Sequence, residues 1–175
     1  FELIGGGTSG GPATMVGTVG GDARNAIAAV SERRGGSSYC PAVPNSTGSP
    51  SSITALGSPF AADNRLRLAA SALPPNQFGM FVTSMTSGFF PGAGGSAGNL
   101  CLGGNIGRFV APGQVQASQA IGAIALQLDV SAVPQGSALV PMGAGVTWYF
   151  QCWHRDVVAG LPSSNLTPGL EVTLL

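Results

Sequence analysis

The stretch Val146–His154 reads VTWYFQCWH. Its alternate positions are Trp148, Phe150, Cys152 and His154 on one side and Thr147, Tyr149, Gln151 and Trp153 on the other. Successive side chains of a strand point to opposite faces, so large apolar groups on both faces predict a central strand buried on its two sides. Outward from it the alternation recurs. Asn64–Ala70 places Leu66, Leu68 and Ala70 on one face and Arg65, Arg67 and Ala69 on the other, with the two arginines toward water or a partner. Phe78–Ser84 sets Phe78, Met80 and Val82 opposite Gly79, Phe81 and Thr83. Ile121–Val130 aligns Ile124, Leu126, Leu128 and Val130, and Gly169–Leu175 aligns Leu170, Val172 and Leu174. Ser52–Leu56 and Ile106–Val110 read as shorter strands. Turns are marked by Pro74-Pro75-Asn76 and Pro112-Gly113, and a long glycine loop by Pro91–Asn99. Short strands joined by Gly/Pro turns predict an all-β fold, a two-sheet antiparallel sandwich of the jelly-roll or immunoglobulin-like kind.

Residues 1–38 differ. They open FELIGGGTSGGPATMVGTVGG, glycine-rich with apolar patches at Phe1–Ile4 and Met15–Val19. The following DARNAIAAVSERRGG fits either a linker or a short helix capped by Asp22 and stopped at Gly35, with Arg33 and Arg34 at its cation-favouring end. The expected organisation is therefore a Gly-rich arm over 1–38 and a β-sandwich domain over 39–175.

Composition narrows the function. Hydrophobic residues are 44% of the chain, enough for a core, while charged residues are only 8%, against about 25% in an ordinary soluble domain. All seven basic residues are arginine. Such a surface fits an extracellular protein, or one covered by neighbours, better than a crowded cytosol. Net charge is zero, which removes the electrostatic attraction that drives nucleic-acid binding. No apolar run reaches the length of a membrane span. The first residue is Phe and no signal peptide is visible, as expected of a processed product or an excised piece of a longer precursor.

Four motifs follow in order: YCPAVPNSTGSP (Tyr39–Pro50), LPPNQFGMF (Leu73–Phe81), GNLCLGGNIGRF (Gly98–Phe109), and WYFQCWHRD (Trp148–Asp156) followed by SNLTPGLEVTL (Ser164–Leu174). In that order and approximate spacing they resemble an uncharacterised C-terminal module of large secreted or surface proteins of planctomycete-like bacteria. The resemblance covers about residues 39–175. It implies a secreted β-rich module and no activity.

The cysteines are Cys40, Cys101 and Cys152. Their spacing matches no zinc ribbon, and in a secreted chain a disulfide is the ordinary reading. Cys40 and Cys101, both in motif segments outside strand interiors, are the favoured pair over any that uses Cys152. Cys152 then remains a buried thiol within its strand.

Candidate sites are sparse. His154-Arg155-Asp156 spells a kinase triplet, but no other kinase element is present, and a strand-end ion pair explains it. Cys152 and His154 share a strand face, at a spacing marginal for a nucleophilic dyad. Asp63, Asp129 and Asp156 are the carboxylates from which a loop calcium site would be built, though they are scattered. Asn45-Ser46-Thr47 and Asn165-Leu166-Thr167 are glycosylation sequons in form, and read as ordinary loop segments. Phe89-Phe90 before Pro91, with Arg65 and Arg67, form the expected ligand or partner surface.

The expectation is a non-catalytic structural or adhesive module, extracellular or on the cell surface, without cofactor and not an enzyme. Its partners are further copies of itself in a filament or layer, or surface and matrix components. A carbohydrate-binding module of a larger secreted enzyme is the alternative.

Overall fold

A computed structural model of the chain describes residues 34–175. The arm, and the helix expected after Asp22, lie outside that range except for its last positions. There Arg34–Gly35 form a strand rather than a helix end, so residues 34–38 already belong to the sheets. In chain order the strands are β1 (Arg34–Gly35), β2 (Ser37–Cys40), β3 (Ser52–Gly57), β4 (Leu66–Ser71), β5 (Phe78–Ser84), β6 (Thr86–Pro91), β7 (Asn99–Gly103), β8 (Gly107–Arg108), β9 (Gln116–Ala117), β10 (Ile124–Gln127), β11 (Val133–Gln135), β12 (Ala138–Val140), β13 (Thr147–Val158), β14 (Leu161–Leu166) and β15 (Gly169–Thr173).

Two antiparallel sheets face each other. The smaller runs β1-β3-β4-β10, the larger β2-β15-β13-β5-β8 with β14 also on β13 and β9 also on β5. The long strand β13 organises the larger sheet, pairing with β15, β5 and β14 along its length. The core between the sheets joins Ala55, Leu66, Leu68 and Ala70 of one to Phe81, Trp148, Phe150, Cys152, Leu170 and Val172 of the other. The alternating faces expected for β4, β13 and β15 are the faces that are buried. Each large apolar side chain so enclosed contributes about 1.5–3 kcal/mol of transfer free energy.

Some expected strands are shorter. Ile121–Val130 is a strand only over Ile124–Gln127, and Ile121 is 80% exposed. Gly122 turns the chain there with φ +63°, its backbone so close to Leu73 that a Cβ would stand 2.3 Å from the Leu73 carbonyl oxygen. Ile106–Val110 is a strand only at Gly107–Arg108. On β5 the core side is that of Phe81, and Phe78 is half-exposed.

A third layer lies on the larger sheet's outer side, where β6 and β7 form a hairpin. Gln151 of β13 faces away from the core yet is fully buried. Its amide donates to the Asn99 and Thr167 carbonyls at 3.0 and 2.8 Å and accepts the Cys101 N–H at 2.7 Å. The second buried side of β13 is thus sealed by a polar anchor rather than by apolar packing. Cys40 and Cys101 are bonded, with Cα atoms 6.3 Å apart, and this disulfide ties the hairpin to β2 at the sheet edge. Cys40 ends its strand, but Cys101 is in the interior of β7, contrary to the expected placement. A cross-link over 61 residues stabilises by about 4 kcal/mol on a chain-entropy argument. The Tyr39 hydroxyl donates to the Cys101 carbonyl beside it, and its ring meets Tyr149 edge-on at 5.3 Å.

Candidate functional site

The hairpin covers only part of the outer face of the larger sheet. Beside it two depressions open, both walled by the Trp153 indole and by Gly94 of the glycine loop. The first, about 310 Å³, has an apolar floor from Met80, Val82, Leu100 and Leu166, with Arg108 at its rim. The second, about 290 Å³, lies among Arg155, Pro162, Ser163 and Ser164.

The register explains this arrangement. Trp153 pairs with Met80 on β5 and Leu166 on β14, Gln151 with Val82, and Val82 with Arg108 on β8. Cross-strand partners share a face, so all of these project outward. Arg155 follows two residues after Trp153 and shares that face. The glycine loop is held over the strands because the Ala97 N–H and the Ser96 hydroxyl both donate to the Ser164 carbonyl, at 2.8 and 3.0 Å. Gly98 permits the approach, since a Cβ there would lie 2.3 Å from Asn165 Oδ1. Both arginines are exposed, and among the described residues no arginine is held in an ion pair.

The expected surface residues do not form one site. Phe89 and Phe90 are exposed on β6, at 56% and 50%, and Phe90 pairs with the groove residue Leu100. Arg65 and Arg67 are exposed but lie toward the smaller sheet, with Arg67 over a shallow depression beside Gln116, Gln119 and Ile121. Arg67 therefore faces away from the hairpin, on the opposite side of the sandwich. The groove around Trp153 was missed because Trp153 reads from sequence as one more core residue of a strand buried on both sides.

His154 and Asp156 are not at a strand end and form no ion pair. β13 runs on to Val158, and both side chains turn inward. His154 Nδ1 lies 3.1 Å from the Arg155 carbonyl and Nε2 lies 3.2 Å from Ser51 Oγ. A carbonyl only accepts, so Nδ1 carries the proton and the Ser51 hydroxyl donates to Nε2. This is the polarity of a nucleophile–base pair, but Ser51 is 2% exposed and His154 fully buried, so no substrate reaches the hydroxyl. Burial pushes the His154 pKa below 6.5 against the smaller opposing effects of the Arg155 carbonyl and Asp156.

Asp156 Oδ1 accepts the Ser46 and Val157 N–H groups at 3.0 and 2.8 Å, and Asn165 donates to Oδ2. Burial raises the Asp156 pKa, but these hydrogen bonds outweigh it and hold the carboxyl below 3.8. The Asn165 amide also donates to the Pro44 carbonyl at 3.2 Å, and its oxygen accepts the Leu166 N–H at 2.8 Å. The cluster clasps the loop between β2 and β3 onto β13. Cys152 makes no bond to His154; its thiol points at the Trp153 carbonyl, and burial pushes its pKa up.

Asp63 accepts from Ser58, Asp129 from Asn64 and Ser131, and Asp156 from the clasp, so the three carboxylates have separate partners. No group of three or more potential metal-ligating side chains occurs among the described residues. Asn45 and Asn165 are buried and hydrogen-bonded, so both sequon asparagines serve as internal braces in this fold. Among the described residues no helix is long and apolar enough to cross a membrane.

No protein-family model, no curated protein and no solved structure matches this chain.

Proposed function

We propose that this chain is a non-catalytic extracellular adhesion module that grips a polysaccharide in the groove around Trp153. The observation that carries this reading is the indole shared by two adjoining depressions on one sheet face. A flat aromatic surface receives the C–H face of a sugar ring, and polar groups at the rim take its hydroxyls. The disulfide and the sparse charge support an oxidising, extracellular setting. The enclosure of its one histidine with Ser51 supports the non-catalytic reading. The test is retention on a panel of immobilised polysaccharides, comparing the native chain with Trp153→Ala at matched folding by thermal melt. Retention that Trp153→Ala abolishes is expected. A chain that no polysaccharide retains, or a variant that binds unchanged, overturns the reading.

Assembly by strand addition is a second reading, favoured by the edge of β3. β1 pairs only with Ala55 and Leu56, which leaves Ser52–Thr54 without a strand on that side among the described residues. Such an edge accepts an extended segment from another copy. Concentration-dependent sedimentation that Thr54→Pro abolishes supports it, and a monomer at every concentration rejects it.

A further inference from the structure

We infer that the ligand of this groove is an acidic polysaccharide, its carboxylates held by Arg108 and Arg155 with an intervening ring on Trp153. The inference rests on the reading above and names the chemical class of the ligand.

The charge distribution carries it. Among the described residues Arg108 is the only charged side chain lining the apolar depression, and Arg155 the only charged one lining the second. No carboxylate of the described residues lines either. Among the described residues the acidic group on the same sheet face is Glu171, on β15 opposite Tyr149 and on the far side of β13 from Met80 and Val82. Asp156 is turned inward and saturated by Ser46, Val157 and Asn165. In a chain with so few charges, two guanidinium groups flanking one indole, neither neutralised by a described residue of the site, leave the groove positive at both ends.

The spacing calls for a polymer. Arg108 is two strands away from Gln151, and Arg155 is four residues along β13 from it. At about 4.8 Å between strands and about 3.3 Å per residue, their Cα atoms are roughly 16 Å apart, with Trp153 between them. One sugar ring does not bridge that distance, whereas a short run of linked rings does. Met80, Val82 and Leu100 offer no hydrogen bond, so a ring seated there presents its C–H face to them. Its recognition then depends on the acidic substituent that reaches Arg108. A guanidinium fork matches a carboxylate in a planar, bidentate manner. A single-stranded nucleic acid would also stack on Trp153 and place phosphates on the arginines. Zero net charge argues against it, because such binding draws on many basic groups.

The experiment measures affinity of the disulfide-intact full chain for polygalacturonate, alginate and hyaluronate, each beside its methyl ester, with oligo(dT) as a competitor. The ester keeps the polymer backbone and removes the charge. At least one acid form is expected to bind about tenfold or more tightly than its ester, the equivalent of one charge-assisted hydrogen bond. Arg108→Gln and Arg155→Gln, both at exposed positions and checked for folding by thermal melt, should each cost about tenfold on the acid form and clearly less on the ester, which keeps only the hydroxyl contacts. Equal affinity for acid and ester, or arginine variants that bind the acid form normally, overturns this inference while leaving the polysaccharide reading intact. Oligo(dT) that displaces the polymer at equal potency also overturns it. Failure of acid, ester and every neutral polysaccharide removes both.

Discussion

The inward side of β13 has two halves held by different forces. From Trp148 to Cys152 it meets apolar side chains of the opposite sheet. From His154 to Asp156 it is equally enclosed, but its neighbours are Ser51, the Ser46 amide and Asn165. Apolar packing has little direction and fails in proportion to the volume removed. Hydrogen bonding is directional, and a missing partner leaves the other group buried and unpaired. One half should therefore respond to size, the other to chemistry and to pH.

The largest expected effect is in the apolar half. Phe150→Ala should destabilise the domain by about 3–5 kcal/mol in urea unfolding, because Phe150 is fully enclosed. A loss under 1 kcal/mol would mean that this half collapses around the void and is less tightly packed than the geometry states. In the polar half, Asn165→Ala should cost about 1–3 kcal/mol. That change strands the Leu166 N–H and weakens the hold on Asp156 and on the Pro44 carbonyl. Asn165→Asp should cost as much or more at neutral pH, since it sets a second carboxylate beside Asp156. If it is tolerated, the clasp is not the determinant of this half.

The smallest effect is the dependence on pH. His154 is held neutral, with its folded pKa below 6.5, so the unfolded chain binds the proton more readily. Its contribution is fully present above 6.5 and is lost as pH falls from there toward the folded value. Asp156 has a folded pKa below 3.8, and its contribution goes only as pH drops beneath that. Stability should thus decline in two steps on acidification. His154→Gln should remove the first and leave the second, measured as melting temperature against pH. A single step in the native chain would show that His154 titrates alike in both states.

Much of this architecture was legible because alternation reports burial directly. β4, β15 and the first half of β13 each carry an unbroken apolar row, and each row is in the core. The β6–β7 hairpin was not legible. Thr86–Pro91 is largely exposed, so no alternation marks it, and a register shift between Ser87 and Phe90 breaks what pattern there is. β14, with the sequence LPSSNL, begins in exposed residues around a proline. The groove depends on both elements, and hence on features without a sequence period. The clasp was hidden for another reason: Ser51 and His154 are 103 residues apart, and nothing in either segment names the other. The cysteine pairing was readable since only three candidates existed, although it joins strands rather than loops.

The position of the disulfide also determines how the domain carries load. A pull from the N-terminal side first peels β1 from β3, then opens β2 from β15 rung by rung, from Ser37 opposite Glu171 toward Cys40 opposite Gly169. At Cys40 the tear reaches a covalent bond. The force passes to Cys101, inside a hairpin that Gln151 fastens to the middle of the larger sheet. From there the load is shared between the hairpin and the larger sheet instead of falling on one rung of β2 at a time. With the bond oxidised, only the few residues before Cys40 can be drawn out before the covalent link is reached; reduced, the same pull meets no such stop.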